Sequence, residues 1–338
     1  MTRWHSMVLA TITACGLAGT AAAQAINAAG ATFPDPIYEK WFSEYNKANP
    51  KVQINYQAIG SGGGIRQLTE GTVDFGASDM PMKDEQIAAM KIKPLHFPTV
   101  LGGIVMIYNL PGVSQELKFT SDLIAEIYLG HITSWNDPKI AKENPGVKLP
   151  KMDIIVVHRA DASGTTFVFC DYLSKANAEW KQKVGADTAV KWPVGTGQAK
   201  NDGVAGMVKQ TAGAIGYVEL IYALQNKMAY GELKNSAGVY LKATLDSVTA
   251  AAASVAKSMP KDFRVSITNE PGKAAYPIST FTWLLIPSEI KDQAKKGAIV
   301  AFLKWMLTDG QKYCAELGYA PLPKEVVALE QKQIALIK

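Results

Sequence analysis

Two long apolar segments, far apart in the sequence, most restrict how this chain can fold. Residues 97–110 and 275–287 are each longer than an ordinary β-strand of about 5–6 residues. A strand that leaves one lobe and enters another has this length, so we predict that the two segments are paired crossovers. Lobe I then comprises residues 26–103 and 277–338, and lobe II comprises residues 104–276. A cleft with its hinge at the crossovers suits closure around a small ligand.

The rest of the chain has the pattern of an α/β protein. It contains 338 residues, of which 48% are hydrophobic and 19% are charged, a globular composition long enough for two lobes. Strand-like runs such as residues 52–56 and 154–157 alternate with helical patterns, which favours a parallel or mixed sheet covered by helices. One predicted helix spans residues 34–47, with Thr32 placed to cap it.

The first 25 residues have the pattern of a signal peptide. A basic head with Arg3 precedes an uncharged stretch over residues 7–22, and small residues then supply an A-x-A cleavage pattern. We expect cleavage near Ala25 and export of the mature chain. Two alternatives remain open. An uncleaved membrane anchor is disfavoured because the segment is rich in Ala, Gly and Thr rather than Leu, and lipidation at Cys15 is disfavoured by the short apolar run before it.

Charge, cysteine and histidine usage exclude several classes. The net charge of +5 comes from 35 basic and 30 acidic residues without a basic run, which argues against nucleic-acid binding. Cys170 and Cys314 of the mature chain lie in apolar, helix-like segments, so we predict two buried, unpaired thiols. No histidine has the spacing of a metal ligand, and we predict neither a metal centre nor a cofactor.

Four segments combine small residues, hydroxyl groups and exposed backbone amides, at residues 30–34, 60–64, 76–79 and 159–165. Three of them precede predicted helices, and a helix N-terminus offers unpaired N–H groups and a partial positive charge to an anion. Arg159 is suited to binding an anion through two hydrogen bonds. An ion pair between Arg159 and Asp161 is the alternative, and both can hold at once.

The same segments lack the motifs of nucleotide sites and of serine hydrolases. The chain contains neither G-x-x-x-x-G-K-[ST] nor a dinucleotide-binding G-x-G-x-x-G unit, and no G-x-S-x-G nucleophile elbow. Ser163 has no obvious histidine partner, because we expect His158 to point to the opposite side of its strand from Arg159. We predict no catalytic residue.

In this order, residues 29–34 (AGATFP), 60–63 (GSGG), 73–79 (VDFGASD) and 159–165 (RADASGT) closely resemble the motifs of the periplasmic phosphate-binding proteins of bacterial high-affinity phosphate ABC transporters. Further similar stretches extend the resemblance over nearly the whole mature chain. Residues 233–273 resemble the family least, and we expect them to be peripheral to the site.

The resemblance implies a two-lobed α/β fold of the type II periplasmic-binding-protein, or Venus-flytrap, class with two crossover strands as its hinge. It also implies a non-enzymatic, monomeric protein that binds inorganic phosphate in the periplasm and delivers it to an inner-membrane ABC permease with its ATPase subunits. Carried over residue by residue, the phosphate contacts are Thr32, Phe33, Ser61, Asp79, Arg159, Ser163, Gly164 and Thr165.

Asp161 is expected to support Arg159 from behind the ligand.

The chain departs from the family at two positions near these contacts. Family members often carry Gly where this chain has Ala162, and a second Ser where it has Gly62. A methyl group at position 162 would disfavour a positive φ there.

Asp79 is the most informative candidate, because an anion site should repel a carboxylate unless the ligand carries a hydrogen. Phosphate carries a hydrogen near neutral pH. Fully ionised sulfate does not, and it would leave two buried acceptors facing each other at a cost of several kcal/mol. The alternative is that Asp79 caps a local turn. At the level of function, an exported phosphatase on the same lobes stays open. Binding of sulfate, molybdate or tungstate is a third reading, against which Asp79 argues.

Overall fold

The computed structural model of the chain describes residues 24–338. Most of the predicted signal peptide, including Cys15, therefore lies outside the described residues. Gln24 and Ala25, at its predicted end, belong to the first strand. No helix among the described residues is both long enough and apolar enough to cross a membrane.

The described chain contains twelve strands and twelve α-helices. The strands are β1 (Gln24–Gly30), β2 (Val52–Ala58), β3 (Phe75–Ser78), β4 (Pro94–Tyr108), β5 (Lys118–Phe119), β6 (Ile155–Arg159), β7 (Thr196–Gln198), β8 (Ala214–Glu219), β9 (Ala229–Tyr230), β10 (Glu232–Lys234), β11 (Tyr240–Leu241) and β12 (Ser279–Pro287). The helices are α1 (Asp35–Ala48), α2 (Ser61–Glu70), α3 (Asp84–Ala88), α4 (Ser121–Tyr128), α5 (Pro138–Glu143), α6 (Gly164–Ala176), α7 (Ala178–Lys183), α8 (Lys200–Gln210), α9 (Leu220–Gln225), α10 (Leu245–Ala256), α11 (Gln293–Met306) and α12 (Lys324–Gln333).

The long strand β4 connects the two halves of the main sheet, whose order is β2-β1-β3-β12-β4-β8-β6-β7, with β9 also pairing with β4. The part of β4 from Pro94 to Gly103 pairs with β12, and the part from Ile104 to Tyr108 pairs with β8. Both segments that we predicted as crossovers thus contain long strands that pair with each other. The second strand is shorter than predicted, because it begins at Ser279.

Parallel pairing in each half of the sheet determines where the loops meet. β1 lies parallel between β2 and β3, and β6 lies parallel between β7 and β8. The carboxyl ends of parallel strands share one edge of a sheet, and ligands of open α/β sheets bind at such edges. The segments that follow β1, β2 and β6, where α1, α2 and α6 begin, therefore gather at the strand ends of their own half.

Helix α1 confirms its predicted extent to within one residue, and its buried residues are mostly aromatic: Ile37, Tyr38, Trp41, Phe42 and Tyr45. The prediction that Thr32 caps this helix was wrong. Pro34 occupies the cap position, and no side chain caps the helix. The Thr32 hydroxyl instead accepts a hydrogen bond from Asn201 Nδ2, 3.0 Å away.

A second correction concerns residues 76–79, predicted as a loop after a strand at residues 73–75. Residues 76–78 are part of the fully buried strand β3. Cys170 and Cys314 are buried free thiols, as predicted. Burial raises the pKa of the Cys314 thiol to about 12 and that of Cys170 well above its ordinary value.

Candidate functional site

The starts of helices α2 and α6 meet at the end of β3. Gly62 N donates to Ala162 O at 3.0 Å, which joins the two helix starts directly. Gly164, the first residue of α6, has no room for a side chain. A Cβ there would stand 2.2 Å from Ser61 Oγ and 2.5 Å from Asp79 Oδ2. Two helix N-termini and one carboxylate are thus in direct contact.

Asp79 is buried, with an exposed fraction of 1%. Its backbone N donates to Ser61 Oγ at 3.0 Å, and its Oδ1 accepts from Thr282 Oγ1 at 2.8 Å. The carboxylate is therefore bonded to a strand 203 residues away rather than to a local turn. Its other oxygen, Oδ2, is buried and has no hydrogen-bond partner among residues 24–338. Burial raises the pKa of Asp79 to about 7, against the opposing effects of Thr282, Arg159 and Ser61.

Arg159 forms the ion pair that the sequence left as an alternative. Its side chain is fully buried, Nε donates to Asp161 Oδ1 at 2.7 Å, and Nη2 donates to Asp161 Oδ2. Burial alone would raise the pKa of Asp161, but the hydrogen bonds and charge of Arg159 hold it below its ordinary value. His158 stacks on Trp192 with ring centroids 4.6 Å apart, so it has different surroundings from Arg159, as expected.

The first turn of α6 supplies three of the predicted contacts. Ser163 caps the helix, because its Oγ accepts from Thr166 N at 3.1 Å. Its hydroxyl hydrogen is left to donate elsewhere. Thr165 is fully buried, and its hydroxyl accepts from Arg159 Nη1 at 3.4 Å. The helix start, the hydroxyl groups and the guanidinium therefore form one continuous set of donors.

Asn201, at the start of α8, connects this set to Thr32. Its Nδ2 lies 3.0 Å from Thr32 Oγ1 and 3.4 Å from Thr165 Oγ1. The backbone of the Thr32–Phe33 turn is also held, since Tyr222 OH donates to Thr32 O and Tyr319 OH donates to Phe33 O. Asn201 has no place in the site predicted from the sequence.

Contacts thus link the eight predicted site residues into one cluster: Thr32, Phe33, Ser61, Asp79, Arg159, Ser163, Gly164 and Thr165. Besides Asn201, sequence reasoning missed Thr282 and Glu219. Glu219 is fully buried at the end of β8, where its Oε2 accepts from Ile221 N at 2.8 Å. Burial raises the pKa of Glu219 well above its ordinary value.

The two departures from the family pattern are in contact with each other. A Cβ at position 62 would lie 2.5 Å from the Cβ of Ala162, so a side chain at 62 and a methyl group at 162 exclude each other. Ala162 does not have a positive φ, so its methyl group causes no backbone strain. Glycine at position 62 therefore leaves room for the methyl group of Ala162.

The cluster has the donors for a small oxyanion and one acceptor for a hydrogen on that anion. The start of α2 and the start of α6 contribute N–H groups, and the hydroxyl groups add further donors. Within residues 24–338, no three His, Cys, Asp or Glu side chains lie close enough together to hold a metal ion.

Comparison with known proteins agrees with this geometry. Residues 17–310 match the model of a family described as the PBP superfamily domain. The phosphate-binding protein PstS of Xylella fastidiosa is 46% identical over 303 residues, covering 89% of this chain and 82% of that relative. The phosphate-binding protein PstS of Haemophilus influenzae is 43% identical over 314 residues, which is 93% of each chain. This chain belongs to the PstS family of phosphate-binding proteins.

Solved structures share the fold of this PstS-family chain. An ABC-type phosphate transport receptor from Vibrio cholerae aligns with a TM-score of 0.58 at 20% identity, over 88% of this chain and all of that one. A phosphate-binding protein from Stenotrophomonas maltophilia aligns with a TM-score of 0.70 at 16% identity, over 92% of this chain and 94% of that one. The predicted fold class, a two-lobed α/β periplasmic binding protein, is confirmed.

Proposed function

We propose that this protein binds inorganic phosphate between its two lobes in the periplasm and delivers it to an inner-membrane ABC permease with its ATPase subunits. The relatives that are 43–46% identical are phosphate-binding proteins by name, which supports the ligand. One observation in the site carries the proposal. Asp79 Oδ2 is a buried acceptor without a partner in the described chain, beside two helix N-termini. An anion with a hydrogen satisfies both the acceptor and the surrounding donors.

Each predicted contact has a distinct role in this proposal. The hydroxyl groups of Thr32, Ser61, Ser163 and Thr165, the backbone amides of Phe33 and Gly164, and the guanidinium of Arg159 donate to the phosphate oxygens. Asp79 accepts the hydrogen of the ligand. Asp161 holds the guanidinium in place with hydrogen bonds to Nε and Nη2, which leaves Nη1 for the ligand side. The protein acts as a non-catalytic monomer.

The pairing of β4 supports the proposed lobe boundaries. We propose that lobe I comprises residues 26–103 and 277–338 and that lobe II comprises residues 104–276, since β4 changes partner from β12 to β8 between Gly103 and Ile104. Hydrogen bonds that join residues on opposite sides of this boundary, Gly62 to Ala162 and Asn201 to Thr32, close the cleft. Closure removes water from the ligand and strengthens every hydrogen bond to it.

Export depends on the N-terminal segment. We propose a cleaved signal peptide with cleavage near Ala25, and the sheet contacts of Gln24 favour a cut that leaves Gln24 on the mature chain. Gln24 N donates to Lys51 O at 2.7 Å and Ala25 pairs with Gln53 in the sheet, so cleavage after Ala25 would shorten this strand. Mass spectrometry of the protein purified from the periplasm tests both predictions. A lipidated N-terminus at Cys15 would contradict the cleavage proposed here.

Titration calorimetry with phosphate and sulfate tests the function. We expect the wild-type protein to bind phosphate and to exclude sulfate, and Asp79→Asn to lose much of that discrimination because an amide can donate to sulfate. Asp74→Asn is the matched control, since Asp74 bonds Asn27 N and Lys295 and does not contact the site. Absence of phosphate binding by the wild-type protein would refute the proposal. Hydrolysis of p-nitrophenyl phosphate by the same preparation would support the phosphatase reading instead.

A further inference from the structure

Thr282 is a fully buried residue of β12 whose side chain reaches Asp79. The pairing of β12 with β4 shifts register between Thr282 and Trp283, so that Thr99 of β4 has no paired residue on β12. A register shift of this kind redirects side chains. Here the Thr282 hydroxyl lies 2.8 Å from Asp79 Oδ1 and 3.4 Å from Ser78 O.

The neighbouring hydroxyl groups fix the direction of this hydrogen bond. Thr99 Oγ1 donates to Thr282 O at 3.2 Å, so the single hydrogen of Thr99 is engaged. Tyr38 OH, 3.0 Å from Thr99 Oγ1, must then be the donor in that pair. Neither hydroxyl hydrogen is available to Thr282 Oγ1, and the hydrogen of Thr282 itself has Asp79 Oδ1 at 2.8 Å as a nearer acceptor than Ser78 O at 3.4 Å. Thr282 therefore donates to Asp79, and the Asp79 carboxylate keeps Oδ2 free at the start of α6.

Burial favours the neutral form of the Asp79 carboxyl group and raises its pKa. A hydrogen-bond donor on Oδ1 favours the ionised form and lowers the pKa. The ionisation state matters for selectivity. An ionised Asp79 accepts the hydrogen of phosphate and repels fully ionised sulfate, whereas a protonated Asp79 would donate to sulfate and admit it. We propose that Thr282 is the positioning residue that keeps Asp79 an acceptor and thereby sets the oxyanion selectivity of the site. The inference rests on the proposed function.

Other groups facing Asp79 act in the same direction but less strongly. The charge of Arg159 from β6 and a hydrogen bond from Ser61 of α2 also lower the pKa of Asp79, and both oppose burial less than Thr282 does. Burial raises the pKa of Glu219, at the end of β8, well above its ordinary value, and its Oε2 accepts from Ile221 N. Three phenols are close enough for the charge of Asp79 to affect them, and burial raises the pKa of each: Tyr38, Tyr56 and Tyr319. Thr282 is thus the residue that opposes burial most, through the hydrogen bond from its hydroxyl to Asp79 Oδ1.

The test compares Thr282→Val, Thr282→Ser and the control Thr280→Val. Thr280 is buried on the same strand, but its hydroxyl donates to Phe281 O. Phosphate and sulfate affinities are measured by calorimetry over a pH series that spans the Asp79 pKa of about 7. We expect Thr282→Val to lower the phosphate-to-sulfate affinity ratio about tenfold at neutral pH, as expected for the loss of one hydrogen bond to a charged group.

The pH dependence separates a positioning role from a packing role. The phosphate-to-sulfate affinity ratio should rise with pH as Asp79 ionises. In Thr282→Val the midpoint of this rise should move to higher pH, and the ratio should recover above that midpoint. Thr282→Ser and Thr280→Val should keep the wild-type ratio and midpoint. An unchanged midpoint in Thr282→Val, or an equal shift in Thr280→Val, would overturn the inference while phosphate binding by the wild-type protein still upholds the proposed function. If Thr282→Val does not fold, Thr282→Ala replaces it.

Discussion

The contact between Gly62 and Ala162 gives the sharpest test of closure. In Gly62→Ala, the new Cβ would lie 2.5 Å from the Cβ of Ala162, about 0.9 Å closer than ordinary van der Waals contact at 3.4 Å. A methyl group has no torsion that relieves this clash, so the two helix starts must separate. Separation by that distance also stretches the hydrogen bond from Gly62 N to Ala162 O, now 3.0 Å, beyond hydrogen-bonding range.

The loss can be estimated from these two effects. A lost hydrogen bond costs about 1 kcal/mol and overpacking about 1–3 kcal/mol, so phosphate affinity should fall by roughly 30-fold to 1,000-fold. The folded protein without phosphate should not be destabilised, because the lobes can open and Ala favours α2 over Gly by about 0.5–1 kcal/mol. Calorimetric titration and thermal unfolding without ligand measure the two quantities separately.

A double variant completes this test. Gly62→Ala combined with Ala162→Gly removes one of the two clashing methyl groups and should restore most of the phosphate affinity. Gly206→Ala is the matched control, since a Cβ there, inside α8, meets no atom within 4 Å. Wild-type affinity in the Gly62→Ala single variant, or a double variant as weak as the single, would refute the reasoning.

Four other variants or modifications have defined outcomes. Gly164→Ala should abolish phosphate binding by calorimetry with cooperative unfolding retained, because its Cβ would stand 2.2 Å from a side-chain oxygen across the cleft; measurable binding would contradict this. The pKa of Asp79 is about 7 in the folded protein, against an ordinary value of 3.8. Without phosphate, the free energy of unfolding of the wild-type protein should therefore fall by up to ~4 kcal/mol as the pH rises between these values and Asp79 ionises. Asp79→Asn should lack this loss in urea unfolding, and identical pH profiles would disprove it. Arg159→Ala should weaken phosphate binding by about 2–3 kcal/mol without abolishing it, whereas complete loss with an intact fold would make Arg159 the dominant contact. A thiol reagent should label Cys170 and Cys314 only after unfolding, since both are buried.

Local signals made much of the fold and site predictable. The apolar lengths of the crossovers, the aromatic face of α1 and the small residues before α2 and α6 are properties of short stretches, and each element formed near its predicted place. Strand β3 shows the limit of such signals. Its buried Phe-Gly-Ala-Ser sequence has the composition of a loop, and pairing with β1 and β12 makes it a strand.

Residues that sequence reasoning missed act over long separations. Thr282 reaches Asp79 across 203 positions, and Asn201 reaches Thr32 across 169 positions. Nothing in the immediate sequence of either residue specifies its partner. Such contacts depend on the register of β12 and on the closure of the lobes, which are set by the packing of the whole sheet.

The charges in the cleft imply that uncharged groups must hold the anion. Arg159 is paired with Asp161, and an ionised Asp79 leaves these three side chains with a net charge of minus one. A simple excess of positive charge therefore does not explain anion binding here. Fixed N–H dipoles at the starts of α2 and α6, with the hydroxyl groups, can stabilise an anion in a water-excluded site without a counter-charge. The donors can bind any tetrahedral oxyanion. Discrimination between ligands therefore depends on the single acceptor, Asp79, which favours an anion that carries a hydrogen.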